Sequence, residues 1–357
     1  MVTEFPETTQ LPPVDVPPRI VLETIKQRQI DYAGRRRDTA LTSSVNVALA
    51  SDGNYIAHAA ATISSMLNMI DRTTTVRLFL LTNKTLAKQD RMTLSATFPH
   101  CNIHFIDVDT SDFTWAPLNR PHVSVVTYYR LNMHTLLPPD IERVIYIDSD
   151  TIVVDSLLKL WNIDIGSNPI AGCADAGGIT QSIRLNLPSS HKYFNAGVLI
   201  FNLAELRKSK ILDDAAEIYH AREKEIIFQD QDILNILFCD RTYTLPLRWN
   251  INDFMFTYSD IRPSYEVDDA RKAVLDPGII HFSGRIKPWD TRCVNPFGGW
   301  YWYYRNTTPW RESLAQQIRR SIRARVMASL SPTQRRLNKW YRQVDASYSA
   351  QAAEQYR

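Results

Sequence analysis

Two aspartates stand between two apolar runs in Val144-Ile145-Tyr146-Ile147-Asp148-Ser149-Asp150-Thr151-Ile152-Val153-Val154. Side chains alternate along an extended chain, so Asp148 and Asp150 fall on one side and can share a ligand. Two carboxylates ~4 Å apart repel by roughly 4 kcal/mol at an effective dielectric of ~20. Uncompensated in an apolar setting, one of them would have to take up a proton. A divalent cation removes the conflict and would also neutralise a pyrophosphate. The D-x-D pattern is short and recurs at Asp107/Asp109 and at Asp230/Asp232. The pattern is often accidental, but Asp107 and Asp109 run into Thr110-Ser111-Asp112 and read as solvated, which favours Asp148 and Asp150 as the candidate metal pair.

His281 closes the apolar run Gly278-Ile279-Ile280 and is either a hydrogen-bonded core residue or a ligand. Two carboxylates and an imidazole, completed by phosphate and water oxygens, suit Mn²⁺ first and Mg²⁺ next. Lys287, three residues beyond Gly284, is a phosphate contact or an ordinary surface lysine. Gln229-Asp230-Gln231-Asp232 opens a helix, where its carboxylates either favour the macrodipole or offer acceptors to a sugar. Asn195, at the start of an apolar strand, is a hydroxyl or phosphate partner or part of a turn. There are only 11 glycines, and neither G-x-G-x-x-G nor G-x-x-x-x-G-K-[ST] occurs. A bound nucleotide would therefore not rely on a Rossmann fingerprint or a P-loop.

A scaffold must bring these groups together. Residues 45–50, 76–81, 103–108 and 144–147 read as strands, and 56–70 and 84–97 as helices, with apolar positions of the first helix at 4, 3, 4, 3 spacing. Ser124 caps a further helix that Pro138-Pro139 ends. In the second half, 170–175, 194–201 and 278–282 read as strands, and 203–223 and 230–238 as helices. Alternating strands and helices predict an α/β fold with a mostly parallel sheet covered on both faces. Ligands bind beyond the carboxyl ends of such strands.

The 357 residues, 44% hydrophobic and 22% charged, divide into an N-terminal extension over 1–40 (partly disordered), one domain over 41–310 and a tail over 311–357. Four scattered cysteines without C-x-x-C, and a start lacking the pattern of a signal peptide, point to a reducing cytosol. No run reaches the ~18 to 20 apolar residues of a membrane span. The tail carries a net charge of +7 and the rest −4. That is no nucleic-acid-binding profile, which would place its basic residues on the body. Leu314, Ile318, Ile322 and Val326 repeat every fourth residue among Arg319, Arg320 and Arg323, with Arg325 near the same face. They predict peripheral docking on an anionic membrane surface or a solvated helix. The aromatic stretch from Trp289 to Trp310 is a core-closing helix, a sugar-stacking surface or an interfacial belt.

Six segments in order carry a resemblance: LASDGNY (49–55), TYYRL (127–131), YIDSD (146–150), YFNAGV (193–198), QDQDILN (229–235) and HFSGRIKPW (281–289). Over residues 45–310 the chain resembles glycosyltransferase family eight, the retaining sugar-nucleotide transferases, and most of all its bacterial lipooligosaccharide α-galactosyltransferases. The resemblance implies a GT-A-type, Rossmann-like fold and a transfer of galactose or glucose, from UDP-galactose or UDP-glucose, to a saccharide acceptor, lipid-linked if the tail docks. Ala50, Asp52 and Asn54 would line the uridine pocket, and Arg130 would lie near the donor phosphate and sugar. Asp148, Asp150 and His281 would hold Mn²⁺. Asn195, Asp230 and Gln231 would bind the hexose, with Gln231 nearest the anomeric carbon, while Gly284 and Lys287 would close on the diphosphate. Gly53 and Arg285-Ile286 depart from relatives at the border of this site. Two rival readings are a haloacid-dehalogenase-type phosphatase and a sugar-binding membrane scaffold. The phosphatase would need a later acidic motif, and Asp213-Asp214 and Asp268-Asp269 sit in polar, helix-like contexts instead.

Overall fold

The computed structural model describes residues 18–34, 43–70, 74–116, 124–256, 265–293 and 295–330. The first 17 residues, Arg35-Arg36-Arg37-Asp38 and the tail beyond 330 lie outside them, as do the side chains of Arg325 and Val326. Among the described residues, ten strands form two sheets: β1 (Ser43–Ala50), β2 (Thr74–Thr82), β3 (Asn102–Asp107), β4 (Arg143–Ile147), β5 (Thr151–Val153), β6 (Ile170–Ala174), β7 (Phe194–Asn202), β8 (Thr242–Leu245), β9 (Ile251–Asn252) and β10 (Ile279–His281). The large sheet runs β3-β2-β1-β4-β7-β6-β8, and the small one β5-β10-β9. Only β7 is antiparallel to its neighbours in the large sheet, so the expected mostly parallel α/β architecture is present.

Strand alternation divides the core. Val45, Val47, Leu49, Ile145 and Ile147 pack into one buried cluster, while Ala48, Ala50, Val144 and Tyr146 face a second cluster across the sheet. Both faces are thus covered, as continuous apolar strands require. The helix Gly298–Asn306 buries Trp300, Tyr301, Trp302 and Tyr304 against the helix Ile56–Asn68. Of the readings open for the aromatic stretch, this part is the core-closing helix.

Several elements differ from the sequence reading. The segment after Ser124 is a 3₁₀ helix over Val125–Asn132 followed by one α turn over Met133–Leu136. Its three-residue period stacks Thr127 below Arg130, and Arg130 Nη2 donates to Thr127 Oγ1 at 3.1 Å. Residues 203–223 form two helices, Leu203–Leu206 and Ile211–Arg222. At the break, Arg207 donates to the carbonyls of His134, Pro138 and Ile141. Strands β5, β8 and β9 were not expected, being too short to show a period.

The boundary drawn at residue 40 separates residues that pack together. The helix Pro18–Gly34 buries Ile25 completely and Tyr32 nearly so. Its Arg28 donates to Val154 O, and Tyr32 donates to Asp155 Oδ1 at 2.9 Å. Asp155 is fully buried and also receives Arg248 at 2.7 Å and Lys159 at 2.9 Å. Burial alone would raise its carboxyl, but Arg248, Lys159, Arg28 and Tyr32 outweigh that and hold it at about 2. Because the folded value lies below the unfolded one, the stabilisation is complete above about pH 4 and is lost as pH falls towards 2, amounting to roughly 2 kcal/mol. Urea unfolding of Asp155→Asn is therefore expected to show a loss of about 3 kcal/mol at pH 7 and a shallower decline on acidification than the parent. An equally steep acid decline would contradict this account.

Candidate active site

The D-x-D pair sits where the chain leaves the large sheet at β4 and enters the small one at β5. Asp148 N donates to Gly197 O at 2.8 Å, and Thr151 Oγ1 donates to Asp148 O at 2.9 Å. From behind, Thr62 Oγ1 donates to Ser149 O at 3.0 Å and to Thr151 O at 2.8 Å. Ser149 Oγ reaches Ala50 O at 2.7 Å and so ties the turn to the end of β1. The two carboxylates converge through this turn, not through alternation along an extended strand as the sequence suggested. Neither sheet continues through residues 148–150, because the chain is changing sheets there.

His281 arrives from the other side of the small sheet. Strand β10 runs antiparallel to β5 with His281 opposite Thr151, and Phe282 N donates to Asp150 O at 3.0 Å. The His281 Nε2 lies 3.3 Å from Asp150 Oδ1 and 3.7 Å from Asp148 Oδ2. One ligand atom from each of the three residues fits within 4.8 Å of the others. Room for the imidazole is made by Gly197, where an added Cβ would stand 2.1 Å from His281 Cε1.

Two cations compensate the carboxylates. Lys287 Nζ contacts Asp150 Oδ2 at 2.6 Å and Phe282 O at 2.6 Å. Burial would raise the Asp150 carboxyl, yet Lys287 and His281 prevail and hold it far below the usual carboxylate range. Lys287 is in turn raised, since Asp150 outweighs its own desolvation. Arg130, with 4% of its side chain exposed, bridges Asp148 Oδ1 at 3.0 Å and Asp230 Oδ2 at 3.0 Å. It also donates to Ala196 O and covers the Tyr146 ring. Tyr146 OH donates to Asp148 Oδ1 at 2.9 Å, and Thr127 Oγ1 to Asp230 Oδ1 at 2.7 Å. Asp230 is nevertheless raised to about 6 by burial, against the pull of Arg130 and Thr127. Two carboxylates, an imidazole and a neighbouring ammonium form a donor set suited to a hard divalent cation next to a phosphate.

These residues line a cleft of about 460 Å³. Ala50, Asp52, Arg130, Asp148, Asp150, Asn195, Asp230, Gln231, His281 and Lys287 all border it. Asn54 and Gly284 do not. Asn54 donates its backbone N–H to Asp52 Oδ1 at 3.0 Å and borders an adjoining cavity of about 1130 Å³ that shares Asp52 and Ser124. Gly284 faces Asp253, to which its N–H donates at 2.7 Å. At the far end, Gln231 Oε1 accepts from Ala196 N at 3.0 Å, and its Nε2 donates to Tyr193 OH at 3.1 Å. Trp289 borders the opposite wall and stacks on His58, ring centroids 3.6 Å apart.

The other acidic pairs go elsewhere. Asp107 is ion-paired with Arg91 outside this cleft. Asp232, on the far side of its helix from Asp230, is fully buried and held by Arg184, Tyr193 OH and the backbone of Ile227 and Phe228. Asp213-Asp214 and Asp268-Asp269 occupy first turns of helices, as the macrodipole favours, and border no part of the cleft. Sequence reasoning passed over Tyr146, Thr127, Gly197 and Asn250. Gly197 alone offered a signal, as a glycine inside an apolar strand that marks a close approach. Gly197→Ala is expected to displace the imidazole and weaken divalent-cation binding by about tenfold or more, measured by isothermal titration calorimetry. Unchanged affinity would show that the histidine needs no such clearance.

The family model described as glycosyl transferase family 8 matches residues 46–293. General stress protein A of Bacillus subtilis (strain 168) is 29% identical over 279 residues, spanning 74% of this chain and 94% of that one. Lipopolysaccharide 1,2-glucosyltransferase of Escherichia coli (strain K12) is 24% identical over 189 residues, or 52% of this chain and 55% of that one. A crystal structure of the galactosyltransferase LgtC in complex with donor and acceptor sugar analogs superimposes with a TM-score of 0.66 at 26% identity, covering 77% of this chain and 100% of that one. The matched segment spans well over half of the chain and includes every residue that borders the cleft, and the protein accordingly belongs to glycosyl transferase family 8, with an LgtC-like GT-A fold.

Proposed function

We propose that this glycosyltransferase moves galactose or glucose from the corresponding UDP-sugar to a saccharide acceptor, with retention at the anomeric carbon and with Mn²⁺ as cofactor. The observation that carries the reading is the convergence of Asp148, Asp150 and His281 in a cleft whose neighbouring cations, Lys287 and Arg130, face the same carboxylates. When bound, the metal supplies Lewis-acid stabilisation to the departing diphosphate. Lys287 would shift from Asp150 towards that diphosphate and offset its negative charge. Ala50, Asp52 and the adjoining Asn54 would receive the uridine, and Gly284 would close over the phosphates. Asn195, Asp230 and Gln231 would hold the hexose hydroxyls.

Retention is best served by attack of the acceptor on the face the diphosphate leaves, with a phosphate oxygen accepting the acceptor proton. The carboxylates near the sugar end are already engaged: Asp230 by Arg130 and Thr127, and Asp232 by Arg184 and Tyr193. Gln231 commits both amide atoms to Ala196 and Tyr193 and is a poor nucleophile. The acceptor class follows from relatives named for lipopolysaccharide transfer and for a complex with an acceptor sugar analog, so lipopolysaccharide or another surface glycan is the proposed product. Incubation with Mn²⁺ and UDP-galactose or UDP-glucose is expected to release UDP slowly even without acceptor. Asp150→Ala should lower that rate about 10²- to 10³-fold at saturating donor, with an unchanged circular dichroism spectrum. Binding without turnover would favour a sugar-binding scaffold, and phosphate released from simple phosphoesters a phosphatase.

The C-terminal helix Leu314–Leu330 extends the reading to the cytoplasmic membrane surface. Among the described residues no helix is long and apolar enough to cross a membrane. Leu314, Ile318 and Ile322 are 72%, 52% and 58% exposed along one side of this helix. Arg320 is not free for lipid, being paired with Glu312 and lying over the Trp302 ring, whereas Arg319 and Arg323 border solvent. Each basic residue near an anionic bilayer contributes up to ~1 kcal/mol. Flotation with anionic vesicles is expected to recover the full chain and lose the protein deleted for 311–357; equal recovery would remove membrane docking.

A further inference from the structure

Asn250 neither borders the cleft nor lies near the D-x-D turn in sequence, yet it joins the two ends of the site. Its side chain is buried, with the residue 1% exposed. Its Oδ1 stands 2.9 Å from His281 Nδ1, and its Nδ2 donates to Asn195 Oδ1 at 2.9 Å. Asn195 Nδ2 continues to Asp175 Oδ2 at 3.0 Å, and Gln231 Nε2 approaches the same oxygen at 3.5 Å.

The direction of this chain follows from one unambiguous donor. The backbone N–H of Gly197 donates to the Asn195 side chain at 3.0 Å, so the oxygen of that amide must point there. The atom of Asn250 that meets the same oxygen is then its NH₂, and its own oxygen is turned towards His281. The imidazole must therefore carry a proton on Nδ1, so Nε2 is the nitrogen left to face Asp148 and Asp150 and to ligate a cation there. Groups that orient a ligating histidine in this way typically alter metal affinity 10- to 100-fold when removed.

We infer that Asn250 is a positioning residue: it sets the His281 tautomer for cation binding and, through Asn195, locks the sugar end of the cleft to the same register. The inference rests on the reading of this cleft as a site for a divalent cation and a UDP-sugar. It goes further by assigning to a side chain that touches neither ligand the coupling between them.

Two near-isosteric variants separate the two halves of this role. Asn250→Leu can neither accept from His281 nor donate to Asn195. It is expected to weaken Mn²⁺ binding in the presence of UDP about 10- to 100-fold by calorimetry. Asn250→Asp still accepts from Nδ1–H but cannot donate to Asn195. It is expected to keep Mn²⁺ affinity within about threefold while the preference for UDP-hexose over UDP falls about tenfold. Wild-type Mn²⁺·UDP affinity in Asn250→Leu, or equal loss of both properties in the two variants, would overturn the inference. Should both variants unfold, ¹⁵N spectra of the wild-type imidazole without metal decide it: a proton on Nδ1 of His281 is expected, and an Nδ1 without a proton would overturn it. A wild-type protein that binds neither Mn²⁺ nor UDP would instead sink the functional reading on which this one stands.

Discussion

The constraint on which this site depends is the confinement of like charges. Asp148, Asp150 and Asp230 share one cleft with at most a quarter of any side chain exposed. Carboxylates so crowded must either protonate or find cations. Each pressure shows at a different residue. Asp150 stays ionised because Lys287 and His281 stand against it, while Asp230 drifts up to about 6 despite Arg130. Arg130 is the pivot of the arrangement. It spans Asp148 and Asp230, and its guanidinium donates to Thr127 and Ala196 and lies over the Tyr146 ring. A ligand that brings phosphates and a divalent cation together changes this balance without adding net unpaired charge, which is why the cleft suits one.

The second sheet solves a geometric problem. A parallel strand ending at Ile147 can present its own following residues, but an imidazole more than a hundred residues later must be delivered by another element. Pairing of β5 with β10 does this with three residues on each strand, and the N–H of Phe282 secures Asp150 directly. The cost is paid in space: β7 must carry glycine at 197 so that the ring can lie across it. The helix Ile56–Asn68 backs the turn through Thr62 and meets the aromatic helix Gly298–Asn306 on its outer side. The N-terminal helix Pro18–Gly34 then closes the edge near Asp155, so the described residues form one packed body.

Legibility followed the length and regularity of each element. Strands such as β1, β2 and β7 carry long apolar runs and were readable with errors of one or two residues. Strands β5, β8 and β9 span two to four residues and carry no period of their own; their conformation is imposed by the neighbours they pair with. The 3₁₀ winding of Val125–Asn132 was equally hidden, since its sequence scans as an ordinary helix. In the site, residue type and motif order pointed to Asp148, Asp150, Asn195, Asp230, Gln231, His281 and Lys287. They did not point to Tyr146, Thr127 or Asn250, whose roles are hydrogen bonds to those residues and depend wholly on distance.

Local chemistry is written in the chain itself. Paired aspartates beside apolar strands, a histidine closing another strand and a lysine shortly after it suit a cation and a diphosphate, because charge and ligand preference belong to residue types. The alternation of strands and helices likewise predicts a mostly parallel sheet with ligands beyond the carboxyl ends of its strands. Which D-x-D meets a histidine, which of Asp230 and Asp232 faces the cleft, and whether His281 reaches those carboxylates were left to the tertiary structure. Those outcomes turn on which strand pairs with β5 and which side of a helix is buried, and both are set by contacts between residues far apart along the chain.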